Sequence, residues 1–136
     1  MFNLKAFLAG LVTVVIVGLT LQLAYVLIAT YISSADTDGF FTIYQSELWF
    51  VSALTVYSLT MLAGGAVTAF FSSTPGFLTP AVVGLSTSLA SLLASSKGDD
   101  ISWVSAAMVL GSVCFCVLGS KFTWSRISRE EFEEPV

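Results

Sequence analysis

The sequence predicts an all-α fold: an integral membrane bundle of four transmembrane helices with both termini in the cytoplasm. Two observations carry this. The apolar residues fall in long uninterrupted blocks, and charged residues make up only 10% of the 136-residue chain, against roughly 25% in an ordinary soluble domain. Every Lys, Arg, Asp and Glu lies between those blocks or at their ends. The solvent that such blocks face is lipid. Mean hydropathy is +0.90, and the length suits a single domain.

The first block covers residues 6–32, "AFLAGLVTVVIVGLTLQLAYVLIATYI". As a helix it would run about 40 Å, longer than the roughly 30 Å hydrocarbon core, so it tilts or protrudes. Small residues in "SSA" before Asp36 mimic a signal-peptide cleavage site. The apolar run is too long for that reading, and an uncleaved helix is expected. The second block covers 48–71, the third 79–95 and the fourth 102–120, followed by a cytoplasmic tail over 121–136. A membrane β-barrel would need alternating segments of about ten residues, a pattern absent here.

Orientation follows from the bases in the short flanks. Lys5 precedes the first block, and Lys121, Arg126 and Arg129 follow the fourth. The first loop has no base, and the third has only Lys97 beside Asp99 and Asp100. The termini and the 72–77 turn are therefore expected inside, and the loops over 33–47 and 96–101 outside. Trp49, Trp103 and Trp124 fall at the expected helix ends, where interfacial indoles belong.

Local punctuation agrees. Thr79-Pro80 reads as N-cap and N1, and Ser46 can cap the second helix. Gly98 can end the third helix in the left-handed conformation, and Asp99 or Asp100 can cap the fourth. The spacing of Ser128 and Glu131 is that of a capping box, predicting a short separate surface helix in the tail. Asp38-Gly39 reads as a turn, followed by the apolar residues Phe40, Phe41, Ile43 and Tyr44.

Small residues recur at helical spacing. Gly84, Ser88, Ser91 and Ser95 form one stripe on the third helix. Ser105, Ser112, Cys116 and Gly119 form another on the fourth, and Gly64, Gly65 and Ala69 sit late in the second. Such faces let helix backbones approach, so these are the candidate packing residues. The helix-three hydroxyls could instead line a polar path. Gln22 is the one strong polar side chain deep in a block, suited to a neighbouring helix or to a partner. Gln22, Phe40, Phe41 and Tyr44 are the candidate partner contacts.

No catalytic, cofactor or metal residues are expected. Histidine is absent, and the two cysteines, Cys114 and Cys116, have C-x-C spacing in mid-helix. A zinc site needs about four ligands. Ser34 and Gln45 stand at two ligand positions of a would-be calcium loop containing Asp36, Asp38 and Gly39, and neither fits. No basic patch suits nucleic acid. No carboxylate lies within a block, as a proton-coupled transporter would need.

The segment "AGGAVTAFFSSTPGFLTPAVVG" resembles small four-helix bacterial inner-membrane proteins of unknown function, in which helix two ends in a Gly-Gly-x-x-x-Ala segment with an aromatic residue after the glycines. Gly64, Gly65 and Ala69 fit that pattern. Ala66 stands in place of the aromatic, and the turn lacks the basic residue. The resemblance implies a tight helical hairpin and brings no chemistry. The expected role is a non-enzymatic accessory or scaffold subunit of a larger assembly in a bacterial inner membrane. Its partners would be the lipid bilayer and other membrane subunits, or copies of itself. The alternative is an oligomeric channel or small-solute transporter.

Overall fold

A computed structural model describes residues 3–35, 39, 45–72, 75–95 and 103–133, with side chains described through Ser128 except that of Ser95. Four helices fill it: α1 Leu4–Ala35, α2 Gln45–Phe70, α3 Leu78–Ser95 and α4 Trp103–Glu133. In lipid a spanning segment must satisfy its own backbone, and long apolar runs without interior proline do so as helices. Three of the four, α1, α2 and α4 (over Trp103–Ser128), are long and apolar enough to cross a membrane, and α3 is a shorter apolar helix. The chain is a helical, multi-pass membrane protein.

The helices alternate in direction, and their neighbours run α1–α2–α4–α3 around the bundle, with α3 also meeting α1. Thus α1 and α3 start at one end, where α2 and α4 finish. At that end Asn3 caps α1: its Oδ1 accepts the N–H groups of Lys5 and Ala6 at 3.1 and 3.2 Å. The N–H of Asn3 in turn donates to Thr79 Oγ1 at 3.4 Å, tying the two helix starts together.

Several boundaries differ from the sequence reading. Helix α3 begins at Leu78, so Thr79 lies inside its first turn, and its hydroxyl serves α1 rather than capping its own helix. Helix α2 begins at Gln45, and Ser46 Oγ donates to Glu47 Oε2 at 2.8 Å. Helix α4 continues through Glu133 instead of breaking before a separate tail helix. No proline or glycine stands between Ser120 and Glu133 to stop it. Trp124 consequently sits within α4, half-buried, its indole N–H covered and without a partner among the described residues. Gly39 takes φ +72°, in the left-handed region that glycine enters without a Cβ penalty, and Asp38, its expected turn partner, lies outside the described residues. The expected caps Gly98, Asp99 and Asp100 lie outside the described residues.

The buried residues gather at one end. They are Ala6, Gly10 and Val14 of α1, and Thr60 to Ala69 on the inner faces of α2. Thr79, Val83 and Ser88 of α3 join Ser112, Cys116 and Ser120 of α4. Towards the other end the helices part, and Leu23, Leu27 and Tyr31 of α1 face outward.

Glycine makes the packed end possible. Gly64 and Gly65 are neighbours in sequence but about 100° apart around the helix. Gly64 faces Val14 and Gly10 of α1, whereas Gly65 faces the backbone of Cys116 in α4. A methyl at Gly65 would lie 2.8 Å from Cys116 Cα, and one at Gly119 3.1 Å from Leu62 Cα. A methyl at Gly84 would lie 2.8 Å from the Ser112 carbonyl oxygen. These crossings have no room for a side chain.

Gly65→Leu and Gly119→Leu should therefore destabilise the bundle by about 1–3 kcal/mol or more, through overpacking. A methyl at Gly111, by contrast, would meet nothing within 4 Å. Gly111→Ala should be neutral, or stabilising by up to ~1 kcal/mol from helix propensity. Thermal unfolding in detergent, followed by circular dichroism, measures both.

Candidate functional site

Two features could serve a function: the glycine crossing at the packed end, and a cleft at the open end. The crossing brings together most of the small residues singled out in the sequence. Gly64, Gly65, Ala69, Gly84, Ser88, Ser112 and Gly119 are all buried there. Ser105 is half-buried and has an interaction of its own. Ser91 is exposed, because the packed part of α3 ends near Ser88 and the small stripe outruns it. Ser95 belongs to α3, with its side chain outside the described set. Gln22 is exposed on α1, with no helix among the described residues covering it. Phe40, Phe41 and Tyr44 lie outside the described residues.

The hydroxyls bond chiefly to their own helices. Thr60, Thr68, Ser86 and Thr87 each donate to the carbonyl four residues back, at about the same 2.7 Å. Ser88 and Ser112 reach three residues back, at 2.9 and 2.8 Å. The protons are spent locally, so these side chains enter an apolar contact at little cost. Bonds between helices are fewer. Tyr57 Oη donates to the Met108 carbonyl at 3.3 Å, and Cys116 Sγ to the Met61 carbonyl at 3.3 Å.

Sequence reasoning missed half of one interface. Gly10 and Gly18 of α1 meet Thr68 and Thr60 of α2. The signal was present in Ala6, Gly10, Val14 and Gly18, spaced by four.

Beyond the crossing, α1 and α2 separate to leave a cleft of about 450 Å³. Its apolar wall is Tyr25, Val26, Ala29 and Trp49. Its polar rim is Thr30, Ser33, Ser34 and Gln45. Tyr25 meets Trp49 edge-on, with centroids 4.9 Å apart and planes at 68°. This pair lies on the face of α1 that Gly10, Val14 and Gly18 use lower down. The two bulky rings prop the helices apart where glycine had let them touch.

The cysteines cannot act as a pair in this arrangement. Two residues apart, they point to opposite sides of α4: Cys114 is exposed and Cys116 buried beside Met61 Sδ at 3.9 Å. Among the described residues, no group of three or more His, Cys, Asp or Glu side chains could hold a metal ion.

A thiol reagent applied to the detergent-solubilised protein should add once, at Cys114, and add a second time only after denaturation. Intact mass reads both states. Rapid double modification under native conditions would contradict the packing of Cys116 against α2.

No family model, no curated protein and no solved structure matches this chain.

Proposed function

We propose that the protein is a non-enzymatic accessory or scaffold subunit of a larger membrane assembly. The observation that supports this most is the exposure of Gln22 near the middle of α1. A primary amide facing hydrocarbon without a partner costs roughly 2–7 kcal/mol, depending on the reference state. A polar group from another polypeptide removes that cost, and such amides hold transmembrane helices together. Ala107 and Gly111 add a small, outward face on α4 on which a further helix can approach closely.

The orientation that fits puts both termini in the cytoplasm. Lys5, Lys121 and Arg126 are exposed at or beyond the packed end, whereas Glu47 opens α2 at the other. A bacterial inner membrane suits the short connections and the resemblance carried by Gly64, Gly65 and Ala69.

Native mass of the protein extracted in mild detergent, with its co-purifying chains identified, tests the proposal. Under this reading a defined complex with other proteins is expected, and Gln22→Leu weakens it while leaving the protein's own fold intact. A homo-oligomer alone would sink the accessory role.

The exposure of Ser91 favours a second reading, an oligomeric channel whose path includes Ser91 and Gln22. Ser88 is buried and cannot take part without helix rearrangement. Ser91→Cys in a Cys114→Ser background should then react with a membrane-impermeant thiol reagent in vesicles. Protection of that cysteine counts against a path.

A further inference from the structure

We propose that two copies of this chain pair in parallel through α1, with Gln22 of each hydrogen-bonded to Gln22 of the other. Helix α1 turns Gly10, Val14 and Gly18 toward α2 and leaves its far side to the surroundings. It is apolar all round, so apolarity marks no direction there. Gln22 does, because an amide in hydrocarbon needs a polar partner. The row through it is Leu8, Val12, Val15, Leu19, Gln22 and Val26, all exposed. Alternating steps of four and three residues keep such a row facing a partner helix along its whole length.

The membrane and the amide together select a second copy as the partner. The base placement behind the proposed orientation acts alike on every copy, so two copies insert the same way round. A twofold axis relating them then lies along the membrane normal, and each residue of α1 at the axis meets its own counterpart at its own depth. Gln22 therefore meets Gln22. A primary amide carries both donor hydrogens and an acceptor oxygen, so each Nε2–H can donate to the other's Oε1. The one strong polar side chain deep in a span is thus satisfied without any foreign sequence. Charge does not oppose the pairing. Lys5 is the only charged residue of α1, and it lies in the first turn, where its long stem lets two ammonium groups part in water. A single amide on an apolar seam also fixes the register, since a shift of one turn would strand both amides. This pairing rests on the reading of Gln22 as a contact between polypeptides and names that contact. The pair is the unit that enters the assembly, and the small face of α4 at Ala107 and Gly111 is left for other subunits.

Oxidative cross-linking in the membranes of cells producing the full chain tests the pairing. The background is Cys114→Ser, which removes the exposed native thiol. Single cysteines are placed on the seam by Leu19→Cys or Val26→Cys, and one residue off it by Thr20→Cys or Leu27→Cys, all at exposed positions. A disulfide needs Cβ atoms about 4 Å apart, so the two seam variants should give a covalent homodimer and the two others none. In lipid vesicles, energy transfer between copies labelled with donor or acceptor at Cys114 follows dissociation on dilution. Gln22→Leu, an exposed change that spares the fold, should raise the dissociation constant about 3- to 30-fold. Equal cross-linking on and off the seam would overturn the proposal, as would its absence at all four positions or a dissociation constant unchanged by Gln22→Leu. The two readings fail separately. Seam cysteines that cross-link only to a different protein sink the pairing and keep the accessory role, whereas a homodimer that co-purifies with no other chain does the reverse.

Discussion

Close backbone contact at the Gly65–Cys116–Gly119 crossing is the constraint on which the rest depends. In lipid, burying apolar surface gives helices little reason to associate, because the tails are as apolar as the side chains. What remains is dispersion at short range, which is lost steeply with distance. Gly65 and Gly119 remove the side chains that would hold α2 and α4 apart, and they do so reciprocally, each against the other helix's backbone. Helix α4 then meets α3 further along the same stripe, where Gly84 lies against the Ser112 backbone. Helix α1 joins through Gly64 on the remaining face of α2. One short zone thus holds four helices.

That concentration explains the open end. Beyond Gly18 and before Thr60, the facing pair on α1 and α2 is Tyr25 with Trp49, two large rings in edge contact. Helices that touch at glycine and meet again at aromatics must diverge, and the cleft is the gap that results. Residues past the rings, Ala29 and Ser33, are too small to fill it. The open end is therefore a product of side-chain size along one face of α1, not of weak helix propensity.

Much of the architecture was legible in the sequence because lipid imposes simple rules. Apolar length gave four helices in order, and charge placement, with the turn residues "SSTPG" between the second and third, gave the breaks between them. The small residues Gly64, Gly65, Gly84 and Gly119 could be singled out by spacing alone. Their partners could not, since spacing marks a face without saying which helix covers it. Ser91 and Ser88 show the limit: both lie on one stripe, yet only Ser88 is buried. The small face of α1 escaped notice because Val14 stands among its glycines, and a β-branched residue masks a small-residue pattern. The end of α4 was misplaced for a different reason. Hydropathy falls after Ser120 while helix propensity does not, so the membrane segment ends before the helix does. The cleft could not be read at all, because it depends on the angle at which two helices part.

The overrun of α4 links packing to charge. Helix α4 has 31 residues against 18 in α3, so about 20 Å of excess length must emerge somewhere. It emerges at the packed end, because Cys116 and Gly119 fix its register on α2. That places Lys121 and Arg126 there, exposed, with the Arg126 guanidinium 5.2 Å from the centroid of the Phe122 ring. Lys5 joins them from the start of α1. Bases at the packed end and acid at the open end then share the bundle axis. A single packing register therefore underlies the proposed orientation in the membrane. If α4 shifted by one turn against α2, Gly119 would leave Leu62, the bases would move by roughly 5 Å along the bundle axis, and the tight zone would be lost with them.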